Sequence, residues 1–295
     1  MSYLIKSYIN RSHSGDKNMT SRLCLSRGHV TKLSFQTESL MFAGQGTSGT
    51  KRKENSMEYF VKIPNNFIKC DIEKDFDVTP SFYVVYYLLN NNRNIRNQSF
   101  MSIKEIMDIY SAECTPRKPK IFNDIVKSIN KMEELNLIHP LNTPSVLRYE
   151  SFLKFQICDT FDSSCDFTIF TEKELLNIMN IDSAITKDIL LRVYLYIKAN
   201  IIKRLSYQEK TPENPEAFFK NIKTSAEEIG IHYNTFYSAI EELCKGENPL
   251  LIKSNVIHRS GKNTPACSPR AIVINKIGWK EELNNAVSAL RNISA

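Results

Sequence analysis

Ser102, Glu105, Ile106 and Tyr110 align with Ser225, Glu228, Ile229 and Tyr233 at a constant offset, four identities in nine positions. The stretches around them repeat in kind as well as in residues. Each runs from a long apolar helix through a short capped helix and a turn to a third helix and a hairpin. A supersecondary unit written twice asks the chain to build the same small core twice.

In the first half, "EYFVKIP" (58–64) reads as a short strand. Thr79-Pro80 opens a helix with proline in its first turn, where the missing N–H costs nothing. Phe82, Val85, Tyr86 and Leu89 share one face of that helix, and Asn90, Asn91 and Asn92 end it. Ser102 and Glu105 form a capping box for a second, short helix. The turn "TPRKP" (115–119) leads to a third, striped by Ile121, Ile125, Ile129, Met132 and Leu135. "LNLIHPL" and "VLRYESFLKFQI", joined by a turn over 142–145, read as a hairpin.

The second half opens on a strand, "DFTIF" (166–170), and a helix capped by Thr171 and Glu174 that runs to about Asn180. A long helix over about 185–204 points Ile189, Val193, Tyr196, Ile197 and Ile201 inward, and a polar loop covers 205–220. Thr224/Glu227 and Ser225/Glu228 are two candidate capping boxes for the next helix. A third helix follows at about 234–245. Two strands, "PLLIKSNVI" and "AIVINKI", flank a loop over 258–270, and a helix from Trp279 to about Arg291 closes the chain. The expected fold class is mainly α with small β-hairpins (α+β).

"EEIGIHYNTFYSAIEEL" (227–243) resembles the helix-turn-helix of bacterial winged-helix proteins. Gly230 stands where a glycine ends the second helix with φ > 0. Ile231 is the apolar plug between helices, Asn234-Thr235 the polar cap of the third helix, and Ala239, Ile240 and Leu243 its core face. Two such units in tandem resemble the plasmid and phage replication initiators. The resemblance covers about 58–290 in architecture, but only the second helix-turn-helix in residues. It implies two winged-helix domains, 57–165 and 166–295, each with its third helix in a major groove of repeated origin DNA. Double-stranded DNA is then the partner, with host replication proteins and a second copy of the chain as further candidates. A winged-helix transcriptional regulator and a protein-interaction module stay open as alternatives.

The exposed face and lead-in of the first third helix hold Arg117, Lys118, Lys120, Asn123, Lys127 and Lys131. The cations would meet phosphates, and Asn123 is the candidate for a base edge. A solvated helix face is the other reading of the same residues. The equivalent face of the second unit holds Asn234, Thr235, Tyr237 and Ser238. It also holds Glu241 and Glu242, where the resemblance implies basic residues. His258, Arg259, Lys262 and Arg270 cluster in the hairpin loop. They suit a phosphate backbone or a minor groove, or are simply an exposed loop.

Charge has to be located before it argues for nucleic acid. Of the net +7, residues 1–56 carry nine Lys/Arg against three Asp/Glu, which leaves 30 basic and 29 acidic side chains in 57–295. The basic stretch 1–56 holds five of the nine glycines, shows no sustained period and reads as a disordered tail. A transit peptide, or a chain whose translation begins at Met57, are the alternatives. The seven cysteines are scattered without a C-x-x-C pair, as suits free thiols in a cytoplasmic protein. The apolar run 82–89 falls short of a membrane span. Gly46–Lys51 has the wrong spacing for a phosphate loop, and Asp71, Glu73, Asp75 and Asp77 lack the turn glycine of a calcium loop. No His-apolar-His pair or hydrolase signature is written. The chain is therefore expected not to be an enzyme and to need no metal or cofactor.

Overall fold

A computed structural model describes residues 60–69, 81–110, 119–142, 144, 146–158, 166–201, 209–211, 213–255 and 270–292. All belong to one unit, Asn55–Ala295. The expected tail (1–56), the Thr79-Pro80 helix start and most of both predicted basic loops lie outside the described residues.

The architecture is α+β. It begins with β1 (Phe60–Pro64), α1 (Asn65–Lys69), α2 (Phe82–Asn91), β2 (Gln98–Ser102), α3 (Ile103–Tyr110), α4 (Pro119–Glu134), β3 (Ile138–Pro140) and β4 (Phe152–Ile157). It continues with β5 (Phe167–Thr171), α5 (Glu172–Met179), α6 (Lys187–Asn200), α7 (Ile222–Glu228), α8 (Tyr233–Leu243), β6 (Leu251–Asn255), β7 (Arg270–Ile274) and α9 (Trp279–Asn292). The sheets are small and antiparallel: β1 with β5, β2–β4–β3, and β6 with β7.

The repeat extends into the pairing. In the first half β2, between the long helix and α3, joins β4 of the hairpin. In the second half Phe218, between α6 and α7, bridges Ile272 of β7. Phe218 lies in the segment 205–220 that the sequence reads as a polar loop, and β2 lies in a stretch to which the sequence assigns no element, because neither has enough apolar alternation to read as a strand. The halves also meet through their opening strands, with Val61 opposite Phe170 and Ile63 opposite Thr168. One cluster of buried side chains then runs from Val61 to Ile272, on both sides of the 165/166 boundary expected from the sequence.

Helix α6 is buried on nearly every side, including Leu190, Leu191 and the run Val193–Ile197. Only the polar side chains Lys187, Asp188, Arg192, Lys198 and Asn200, with Ile189, are part-exposed, so the helix sits in the core with its charged groups at the margin. It packs on α1, α2, α5, α8 and β5. Two of its core side chains end in hydroxyls that need acceptors. The Tyr194 hydroxyl donates to Glu174 of α5 and the Tyr196 hydroxyl to Glu228 of α7. Asp188, in its first turn, accepts a 2.9 Å bond from the Tyr110 hydroxyl at the end of α3. Burial pushes the Asp188 carboxyl up to about 6 against the pull of this bond; Asp124 raises it further and Lys120 lowers it.

The capping boxes expected at Ser102/Glu105 and Thr171/Glu174 both form. Those expected at Thr224/Glu227 and Ser225/Glu228 do not. Asn221 caps α7, accepting from the Lys223 and Thr224 N–H groups, because the helix must start early enough to bring Ile222 against the core. Ser225 is buried inside it, and Glu228 is taken by Tyr196 and Lys220. Helix α8 likewise begins before Asn234-Thr235: the His232 Nδ1 caps it, accepting from the Asn234 N–H at 3.3 Å. The first hairpin is shorter than expected. The alternation that buries Leu153, Phe155 and Ile157 starts only at Phe152, and Val146 is exposed.

The turn after α7 follows the expected chemistry. Gly230 has φ +62°, its N–H donates to the Glu227 carbonyl at 3.1 Å, and the Ile231 N–H reaches the Ala226 carbonyl at 2.9 Å. These are the two bonds of a glycine-ended helix. Ile231 packs against the core, as the plug reading requires. Helix α4 ends the same way on Asn136, at φ +55°.

A Cβ at Gly230 would meet no atom within 4 Å, so a side chain there costs backbone strain alone. Gly230→Ala should destabilise the protein by about 1 kcal/mol in denaturant melts. An unchanged midpoint would contradict the strained turn.

Asp188 holds its proton more tightly folded than unfolded, since about 6 lies above the ordinary 3.8. Its contribution to stability is therefore greatest below about pH 4 and falls as pH rises towards 6. Asp188→Asn keeps an acceptor for Tyr110 and removes the charge. Between those pH values the native protein should lose on the order of 2 kcal/mol relative to this variant. Parallel pH profiles of the two proteins would refute the assignment.

Candidate nucleic-acid interface

Helix α4 begins at Pro119, a residue suited to the first helical position because no N–H is needed there. Ile125, Ile129 and Met132 are buried, so the 3.6-residue period turns the opposite face to solvent. Lys120, Asn123 and Lys127 are exposed there, spaced three and four residues apart along one stripe. Lys131, expected on the same face, is half-buried and pairs with Glu134 at 3.3 Å. Arg117 and Lys118 lie outside the described residues.

Helix α8 buries Phe236, Ala239, Ile240 and Leu243. Asn234 and Ser238, one turn apart, are exposed; Thr235 and Tyr237 are half-buried. Tyr237 is engaged by Arg270 of β7, which donates to its hydroxyl at 2.8 Å and sets its guanidinium carbon 4.4 Å from the ring centre. His258, Arg259 and Lys262 lie outside the described residues.

The two carboxylates that sit badly beside phosphate are already occupied. Glu241 forms an ion pair with Lys253 of β6, and Arg270 Nη1 stands 3.7 Å from its other oxygen. Glu242 pairs with Lys245 at 2.7 Å. Partial burial pushes the Glu241 carboxyl up, but Lys253, with Tyr237 and Arg270, outweighs it and holds the group below the ordinary glutamate range. The network clamps α8 onto both strands of its hairpin and cancels charge on the face that the sequence leaves acidic.

Sequence reasoning passed over Tyr233. It is the first residue of α8, 45% exposed, with its ring centre 6.4 Å from that of Tyr237. The four-residue spacing of the two tyrosines was the available signal. With Asn234-Thr235 as the expected cap, Tyr233 falls outside the helix in the sequence. A second exposed aromatic pair, Phe100 of β2 and Phe152 of β4, stands on the first half's sheet with ring centres 6.5 Å apart. Among the described residues no His/Cys/Asp/Glu group is arranged to hold a metal, and no helix is long and apolar enough to cross a membrane. Compared with known protein families, curated proteins and solved structures, the chain matches none.

Glu241 titrates below its ordinary value, so its stabilisation is present above about pH 4.5 and is lost as pH falls through the lower folded value. Glu241→Gln should cost about 1 kcal/mol at neutral pH. The gap from the native protein should close in acid, where both side chains are neutral. Equal melting temperatures at pH 7 would show that the clamp contributes nothing.

Proposed function

We propose that this chain binds double-stranded DNA through two winged-helix units and initiates plasmid or phage replication at repeated origin sequences. One observation carries the reading. In both halves the order is long helix, strand or bridge, short helix, third helix and hairpin, and the strand or bridge joins the hairpin's second strand. The third helix of each such unit is the element that enters a major groove. In the first half it offers Lys120, Asn123 and Lys127 on one open stripe.

The labour divides by charge. Phosphate neutralisation dominates affinity, and base contacts discriminate. Helix α4 supplies the cations. Helix α8, its carboxylates paired within the protein, supplies the polar side chains of its first turns, Asn234 and Ser238. The exposed Phe100–Phe152 pair and the near-neutral charge of 57–295 favour a second reading, a module that docks another protein.

Replacing Lys120 and Lys127 together by alanine should weaken binding to every duplex sequence and lower the salt slope by roughly one unit per lost contact. Titrations of random duplex over a range of salt measure both. Unchanged affinity and slope would reduce the stripe to a solvated face. If the native protein binds no duplex at low salt, the docking reading takes over.

A further inference from the structure

We infer that Tyr233 is a specificity-determining residue of the second half, and that its exposed ring selects base pairs carrying the thymine 5-methyl group. The inference rests on the DNA-binding reading above and sharpens what α8 would recognise. Tyr233, Tyr237 and Glu241 follow one another at four-residue steps, so they form a single stripe along α8. The far end of that stripe is immobilised. Lys253 and Arg270 hold Glu241, and Arg270 also bonds the Tyr237 hydroxyl and lies over its ring. Arg270 and Tyr237 are thereby spent inside the protein, although the sequence marks both as DNA contacts. The near end is the open ring of Tyr233, supported on one side by Tyr237 at an interplanar angle of 37°.

An aromatic ring left open at the first turn of a helix has no polar surface to offer a base edge except its hydroxyl. What it can cover is apolar, and in the major groove the one apolar group is the thymine methyl. Two further residues of the same turns, Asn234 and Ser238, are exposed and are hydrogen-bonding groups able to read base edges. The ion pairs of Glu241 and Glu242 remove the charge that would hold a phosphate-lined groove away. Ordering the ring on Tyr237 before contact lowers the entropy lost on binding.

Selection from a random duplex pool by the native protein should enrich sites with thymine at a fixed position. Replacing that thymine by deoxyuridine removes only the methyl and should weaken binding about fourfold, the effect of one buried methyl-sized group. Tyr233→Ala should bind the thymine and deoxyuridine duplexes alike, and Tyr233→Phe should keep the preference, because the ring face makes the contact. Tyr233 is exposed, so unchanged melting temperatures of both variants check the fold. A Tyr233→Ala protein that still prefers thymine overturns the inference, and so does an enriched site without thymine. If the native protein binds random duplex but enriches nothing, Tyr233 selectivity fails while DNA binding stands. If it binds no duplex at low salt, both fall together.

Discussion

Burial of α6 on nearly every side sets the terms for the other elements. Leu190, Leu191 and Val193–Ile197 cannot reach water, so α1, α2, α5, α8 and β5 must close around them. Closing a core around tyrosines is costly unless each hydroxyl finds an acceptor. The fold meets this with carboxylates drawn from neighbouring helices. Glu174 of α5 serves Tyr194 and also pairs with Lys198; Glu228 of α7 serves Tyr196 and also pairs with Lys220. A charged acceptor makes a stronger bond than a neutral one, and its own charge is balanced by the lysine beside it. Each of these contacts therefore joins a short helix to α6 and satisfies a buried polar group at once.

The same device ties the halves together. Tyr110 ends α3 and Asp188 lies in the first turn of α6, and their bond joins elements from the two halves. The opening strands β1 and β5 add a ladder between the repeats, reinforced where the Asn65 N–H donates to the Asp166 carbonyl at 2.9 Å and the Thr168 hydroxyl to the Asn65 side chain at 2.7 Å. A repeat joined through a common core holds its third helices in a set relation more firmly than one joined by a linker alone. For a protein proposed to meet successive grooves of a duplex, that relation decides which half-site spacings can be bound.

Helices α4 and α8 differ in how they use charge. Helix α4 leaves Lys120 and Lys127 open to solvent, whereas α8 spends charge inward, on Glu241 with Lys253 and Arg270. Paired charges at a protein surface add little stability by themselves. Here their larger effect is geometric: they fix Tyr237 and the hairpin strands, and leave Tyr233 as the apolar feature of the exposed face.

Much of this was determined by the sequence alone. The buried faces of α4 and α8, the capping boxes at Ser102 and Thr171, and the glycine turn at Gly230 all depend on residues within one or two turns of each other. A 3.6-residue period or an N-cap bond shows such contacts directly. Tertiary structure decided the rest. Strand β2 exists because β4 is there to pair with it, and Phe218 bridges because Ile272 lies opposite. Asn221 caps α7 because the core claims Ile222. Glu241, which the sequence leaves facing phosphate, meets Lys253 and Arg270 only once the hairpin folds back over α8. The strand pairings and the Glu241 ion pairs join residues far apart along the chain, and the Asn221 cap, local in its own bonds, is selected by the distant core that Ile222 packs against. A local pattern carries no information about a partner that only folding brings near.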